Sequence, residues 1–452
     1  MPARDPAATI DAIWRIESPR LIAGLARMLR DVGRAEDVAQ DALVRAMETW
    51  PRDGVPDNPG AWLMTTAKRI AIDGIRRAQN LERKHDELAR VLPPHAAAFL
   101  GATPSPDALA APDDDLLSLM FTCCHPVLSA QAQTTLTLRL LGGLRTDEIA
   151  RAYLTTEATI AQRISRAKRV LAEAGVGFAP PPDEEVPRRL AAVLQVLYLI
   201  FNEGHTATKG DDWLRADLCF DALRLARTVV ALAPHEPEAH GLLALLSFQS
   251  SRLRARTAPD GTPILLLDQD RALWDRTLIT AGVRALARAQ HLSPEPGPYA
   301  LQAAIAACHA TAPTPEATDW CRIATLYDAL LRLQPSPIVA LNHAVAISYA
   351  CGPAAALPLV DALVAADLLS TSHLLPAIRA DLLIRLDRSP EAVADLHHAA
   401  TLTGNARERE LLLARAAALV EGQDAEGATA CRNRGVPFDV PGETATPEED
   451  PR

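Results

Sequence analysis

The stretch "LRTDEIARAYLTTEATIAQRISRAKR", Leu144–Arg169, predicts two short helices joined by a tight turn. Thr146 suits the cap of the first, with Asp147 and Glu148 in a first turn where carboxylates favour the positive helix end. Thr156 suits the cap of the second, with Glu157 behind it. In that second helix Ile160, Ile164, Ala167 and Leu171 recur at i, i+4, i+7 and i+11, one apolar stripe. Gln162, Ser165, Arg166 and Arg169 then point the other way, with Arg163 on the flank. A capped helix with guanidiniums and an amide on its outer face, behind a shorter helix and a turn, has the form of a helix-turn-helix reader. Arginine and glutamine match guanine and adenine edges in the major groove, and the remaining cations suit phosphates. The plainer alternative is a solvated amphipathic helix, the usual fate of a run of charge. The turn spacing and the two caps favour DNA.

Composition sets the frame around this stretch. The chain has 452 residues, enough for about three domains. It is rich in alanine and leucine, only 4% aromatic, and carries 35 prolines, which points to an all-α protein. The longest apolar run, "LAAVLQVLYLIF" (Leu190–Phe201), is too short for a bilayer and is broken by Gln195, so no membrane contact is expected. The start, "MPARDPAATIDAIWRIE", lacks the features of a signal peptide. Seven cysteines without a CxxC pair suggest reduced thiols in a cytoplasm. The first 175 residues carry 22 Lys+Arg against 22 Asp+Glu, so the net charge of −10 falls on the remainder. A neutral front half should hold DNA weakly by itself and need a partner.

Two proline- and acid-rich linkers divide the chain, "GATPSPDALAAPDDD" (Gly101–Asp115) and "GVGFAPPPDEEVP" (Gly175–Pro187). Ahead of the first, "AEDVAQDALVRAMETW" (Ala35–Trp50) is amphipathic, with Val38, Ala42 and Met47 near one side and Asp37, Gln40 and Asp41 exposed. "NPGAWLMTTAKRIAIDGIRRAQNLERKH" (Asn58–His85) opens with a turn and continues as a long helix. Arg69, Arg76 and Arg83 share one face of it, Lys68, Arg77 and Lys84 lie one step around, and Asp73 lies among them. Two basic helices separated by a flexible linker suggest two DNA contacts made at a distance.

These segments resemble a bacterial RNA polymerase sigma factor of the extracytoplasmic-function (ECF) type, in the sigma-70 family. "AEDVAQDALVRAMETW" resembles the polymerase-binding helix of region 2, and "WLMTTAKRIAIDGIRR" the helix that reads and melts the minus-ten element. "LTLRLLGGLRTDEIARAYLTTEATIAQRISRAKRVL" resembles region 4, which reads the minus-thirty-five element. "DDLLSLMFTCCHPVLSAQAQ", "YLIFNEGHTAT" and "LLDQDRALWDR" resemble the subgroup with a long tetratricopeptide-like C-terminal domain.

The resemblance implies a non-enzymatic, cytoplasmic polymerase subunit without cofactor or metal, whose partners are the β′ and β subunits of core polymerase and promoter DNA. It implies two small helical domains, region 2 at 8–98 and a helix-turn-helix region 4 at 115–174, joined by a linker at 99–114. A proline-rich linker at 175–187, a tetratricopeptide-like α-solenoid at 188–435 and a disordered tail at 436–452 would follow. Asp37, Gln40 and Asp41 would meet the β′ clamp helices. Asn58, Trp62, Arg69, Asp73, Arg76 and Arg77 would serve the minus-ten element, with Asn58, Gly60 and Trp62 around a flipped base. Trp62 fits a buried core residue equally well. Thr156, Thr159, Gln162, Arg163, Ser165, Arg166 and Arg169 would serve the minus-thirty-five element. The chain departs from its relatives at Ala161, where Lys or Arg is common, which puts one contact in doubt.

The second half repeats a phrase: "LAPHEPEAHGLLALL", "LSPEPGPYALQAAIAA", "LQPSPIVALNHAVAI". Each sets proline between helices with small residues for close packing, as degenerate helical repeats do. Stacked pairs would leave a concave face for a protein or peptide partner and control activity in cis. The adjacent Cys123, Cys124 and His125 diverge around a helix and read as buried thiols rather than metal ligands. A stand-alone helix-turn-helix regulator with a partner-sensing repeat domain is the alternative, but it has no use for the two region 2 segments.

Overall fold

The computed structural model describes residues 6–88, 113–153, 155–205, 214–258 and 261–424. The chain divides into two compact units, Met1–Leu197 and Tyr198–Arg452. The extended elements among the described residues reduce to one isolated bridge between Thr257 and Pro263; the rest of the regular structure is helical. The expected tail at 436–452 and all but the last two residues of the expected linker at 99–114 lie outside the described residues, as do the side chains of Arg83 and Lys84.

The first unit holds α1 (Pro6–Leu29), α2 (Val32–Asp53), α3 (Pro59–Leu88), α4 (Asp113–Cys123), α5 (Ala130–Leu140), α6 (Thr146–Ala152) and α7 (Glu157–Glu173). Helix α2 buries Ala35, Ala39, Ala42, Ala46 and Trp50, an i, i+4, i+7, i+11, i+15 stripe. The stripe differs from the expected one: Met47 is 55% exposed and Val38 only half-buried. Alanines let α1 come close, so the larger side chains beside them turn outward. Ile10, Leu21, Ile22 and Leu25 of α1 are buried, and α1 packs against α2, α3 and α4.

The turn between α5 and α6 rests directly on α1. Gly143 has φ +69°, and a Cβ there would lie 3.1 Å from both Arg15 Cα and Ser18 Oγ, so both the backbone and the space call for glycine. The two basic segments that the sequence separates by a linker lie in one compact unit, Met1–Leu197. Of the two expected caps, Thr156 accepts from Thr159 N at 3.2 Å. Thr146 instead starts α6. Arg145 occupies the cap position, where its N–H donates to Glu148 Oε2 at 2.8 Å and closes half of a capping box.

Helix α8 (Val186–His205) runs across the boundary between the units. The second unit continues with α9 (Ala216–Leu232), α10 (Pro237–Ser251), α11 (Arg276–Leu292), α12 (Pro298–Thr311), α13 (Trp320–Leu333), α14 (Pro337–Ala350), α15 (Pro353–Ala365), α16 (Leu374–Ile384), α17 (Ser389–Leu402) and α18 (Ala406–Asp424). Successive helices pack on one another: α10 on α11 and α12, α13 on α14, α16 on α17, α17 on α18. In each repeated phrase the first proline (Pro234, Pro294, Pro335) falls two residues past a helix end. The last (Pro237, Pro298, Pro337) opens the next helix, where its missing N–H removes no bond. Glu238 of α10 also reaches α12, accepting from Tyr299 N at 2.7 Å and Ala300 N at 3.1 Å.

Candidate nucleic-acid interface

Helix α7 buries Ile160, Ile164, Ala167 and Leu171, the stripe read from the sequence. Gln162, Ser165, Arg166 and Arg169 stand exposed on the opposite face, and Arg163 is half-buried on the flank. Thr156 and Thr159 are exposed at the helix start, where their hydroxyls lie 2.8 Å apart within the cap. Ala161, exposed beside Gln162, leaves a neutral gap in this face. Arg169 pairs with Glu173 at 3.6 Å, an exposed contact too weak to withhold the guanidinium from a phosphate.

Asn58 caps α3, its Oδ1 accepting from Ala61 N at 3.0 Å. Trp62, one turn in, is half-buried and meets Trp50 edge to face with ring centroids 5.4 Å apart. Arg69, Asp73, Arg76 and Arg77 are all exposed further along, and Arg77 Nε donates to the Asp73 carbonyl at 3.3 Å. On α2, Asp37 and Asp41 are exposed, while Gln40 turns back to donate to Glu36 Oε1 at 2.7 Å. Asp41 and Arg77 line one groove of about 340 Å3, together with Arg34, Val38, Ile70 and Gly74.

Sequence reading passed over Glu36. Its side chain is 4% exposed, yet its carboxylate meets Arg139 Nε of α5 at 2.6 Å and Lys168 Nζ of α7 at 2.6 Å. Burial pushes that carboxyl up, but the Lys168 and Arg139 cations pull it further down and leave it below the ordinary value of 4.5. Lys168 Nζ also lies 3.5 Å from Asp37 Oδ1. Along α1, Arg15 bonds Glu148, Arg145 lies 3.8 Å from Asp11, and Arg27 lies 3.3 Å from Asp115. The trace in the sequence is slight: Glu36 and Lys168 each stand one position from a buried alanine, Ala35 and Ala167.

The thiols of Cys123 and Cys124 are buried, and burial raises both, Cys124 to about 12. Cys124 Sγ lies 3.6 Å from Thr137 Oγ1. His125 turns to its own turn, where Nδ1 accepts from Val127 N at 3.2 Å. Such thiols stay protonated and act as small apolar side chains.

Comparison with known proteins bears on these two helical segments. Residues 13–81 match sigma-70 region 2, and residues 118–171 match sigma-70 region 4. Residues 189–290 match a family of unknown function (DUF6596). The uncharacterized protein R00370 of Rhizobium meliloti (strain 1021) is 43% identical over 391 residues, 86% of this chain and 91% of that protein. The probable ECF RNA polymerase sigma factor SigI of Mycobacterium tuberculosis is 25% identical over 182 residues, in both strain CDC 1551 / Oshkosh and strain ATCC 25618 / H37Rv. That match covers 40% of this chain and 60% of SigI. Sigma-70 regions 2 and 4 imply promoter recognition with RNA polymerase, and sigma factors are not enzymes. The chain belongs to one family with the Rhizobium meliloti protein, and it carries sigma-70 region 2 and region 4 domains followed by a domain that matches a family of unknown function.

Proposed function

We propose that the chain is an ECF-type sigma factor that works in the cytoplasm and is regulated in cis by its C-terminal half. Asp37, Gln40 and Asp41 on α2 contact the β′ side of core polymerase. Asn58, Trp62, Arg69, Asp73, Arg76 and Arg77 on α3 serve the minus-ten element. Trp62 takes both roles the sequence allows, supporting Trp50 with one edge and leaving part of its ring for an unstacked base. Thr156, Thr159, Gln162, Arg163, Ser165, Arg166 and Arg169 on α7 serve the minus-thirty-five element. The observation that carries this reading is the exposed Gln162, Ser165, Arg166 and Arg169 row opposite the buried stripe of α7, inside a region 4 match that follows a region 2 match.

The helical half acts as a tetratricopeptide-like solenoid that takes a protein or peptide partner. Its successive helix packing and helix-opening prolines support that reading. Reconstituted transcription with bacterial core polymerase and a promoter library is the test. The full chain should direct initiation from a defined promoter class. A chain cut after His205, which leaves α8 whole, should lose most of that activity. No promoter-dependent transcript from the full chain would sink the assignment, and equal activity after the cut would remove the regulatory role.

A further inference from the structure

The second unit contains a cavity of about 90 Å3 whose lining falls wholly within that unit, on α8, α10, α12, α13 and α14 and at Leu266. Its apolar side includes the buried Ile305, Ile323 and Val345. Its polar side is mostly carboxamide: Asn202, Gln249, Gln302 and Asn342, with the Tyr327 phenol and the His309 imidazole. Among the described residues that line it there is no Asp, Glu, Lys or Arg. Burial, helped by the Arg256 and Arg252 cations, holds the wall's His205 well below its ordinary value. Burial, helped by Arg252 and Arg271, presses His309 down to about 3. The wall is therefore uncharged at neutral pH.

The hydrogen-bonding capacity of this wall is largely unspent. Arg252 Nε donates to Gln249 Oε1 at 2.9 Å, and a guanidinium cannot accept, so the Gln249 NH2 is left over. Tyr198 OH donates to Gln302 Oε1 at 3.2 Å, which leaves the Gln302 NH2 in the same state. Among the described residues the side chains of Asn202 and Asn342 have no partner, so each offers both a carbonyl and an NH2. His309 Nδ1 is buried without a hydrogen bond. Carboxamides turned into an apolar interior destabilise the fold unless something answers them. Water is the plain candidate, and about three molecules fit at roughly 30 Å3 each. One wall, however, is aromatic and set beforehand. Trp320 stacks on Tyr349 with centroids 4.3 Å apart, His309 meets Trp320 edge to face at 5.1 Å, and Arg385 lies 4.6 Å over Tyr349. A rigid flat wall beside hydrogen-bonding groups suits a flat molecule better than water. Benzene occupies an engineered cavity of about 150 Å3, so the occupant here is a smaller ring or the tip of a longer molecule.

We propose that this cavity is a binding site for a small, uncharged, planar molecule with a CO–NH edge, of the lactam, cyclic imide or cyclic urea class. Such an edge sets an acceptor beside a donor, the complement of a carboxamide, and Asn202 and Asn342 each present that pair. The NH2 groups of Gln249 and Gln302 supply donors for a second carbonyl, and Trp320 packs the ring. An ion is excluded because its charge would be buried with no opposite charge on the wall. Five helices contribute to the lining, so an occupied cavity ties α8, α10, α12, α13 and α14 together. Asn202 and Gln249 lie inside the segment 189–290 that matches the family of unknown function. The site goes beyond the sigma reading, and binding there does not depend on it.

A ligand-observed NMR titration of the full chain tests it, with 2-pyrrolidinone, a small lactam, as the probe. Binding should saturate with a Kd of roughly 1 mM, as expected for so few atoms. N-methyl-2-pyrrolidinone and cyclopentanone, which lack the N–H, and butyrate, which is an anion, should each bind about tenfold more weakly or worse. Asn342→Leu and Gln302→Met, which keep the volume and remove the amide, should weaken the lactam by about tenfold with the melting curve unchanged. Wild-type protein labelled with 5-fluorotryptophan places the ligand without relying on those variants. The Trp320 resonance, assigned with Trp320→Phe, should shift on addition of 2-pyrrolidinone. No saturable binding, or binding that leaves the Trp320 resonance unmoved, overturns the site and leaves the cavity to water. Butyrate or cyclopentanone binding as tightly as the lactam overturns the ligand class. Failure of the full chain to direct transcription would take down the sigma reading and leave this binding untouched.

Discussion

Replacing Glu36 by Gln removes the carboxylate that Arg139 and Lys168 share, and the structure bounds the effect. Breaking a buried ion pair by deleting one partner costs about 3–5 kcal/mol when the remaining charge stays trapped. Here the side chains of Lys168 and Arg139 keep 20% and 17% exposure, so neither is sealed from water. Lys168 can turn towards Asp37, and Arg139 still donates to the Leu144 carbonyl at 3.1 Å. A loss of about 2 kcal/mol is therefore expected for Glu36→Gln, close to a thirtyfold shift towards unfolding. Urea unfolding of Glu36→Gln, Lys168→Met and the double variant closes a cycle in which the pair should couple by about 1–2 kcal/mol. Acid should reproduce the effect. The Glu36 carboxyl is held below 4.5, so its stabilisation is complete above the unfolded value and disappears as pH falls through the lower folded value. A coupling energy under about 0.5 kcal/mol would refute the argument, because two contacts at 2.6 Å would then be worth no more than a surface pair.

The proposed polymerase contact is best probed at Asp41, which is exposed; Asp37 also lies 3.5 Å from Lys168, and its reversal would disturb that pair. Asp41→Lys should weaken co-purification with core polymerase by several-fold without changing the melting curve, since like charges across an interface repel. Arg166→Ala should cost about 1–3 kcal/mol at one minus-thirty-five position and relax preference there, whereas Arg76→Ala should weaken binding uniformly, both read from a promoter library. Glu238→Ala should destabilise the second unit by about 2–3 kcal/mol in urea, because two N–H groups at the start of α12 lose a carboxylate acceptor. Its transcript pattern should keep the wild-type promoter preference, as Glu238 lies in α10 and in neither α3 nor α7.

What the sequence determined by itself is what repeats within a few residues. The stripe of Ile160, Ile164, Ala167 and Leu171, the Thr156 cap and the outward row of Gln162, Ser165, Arg166 and Arg169 follow from helical period and hydrogen-bonding chemistry alone. The helix-opening prolines of the second unit are equally local. Period was less informative for α2, where several small residues compete and only the approach of α1 decides that Ala35, Ala39 and Ala46 turn inward while Met47 stays out. The choice of Arg145 over Thr146 as a cap needed the backbone path out of the Gly142–Gly143 turn, itself set by contact with α1. Glu36 lay wholly beyond local reading. An acid beside an alanine stripe looks like any solvated helix flank, and its partner Arg139 stands 103 residues away in the chain. Only tertiary structure brings that cation and Lys168 to it, because burial of a charge depends on what the fold packs against it and not on the neighbours it has in sequence.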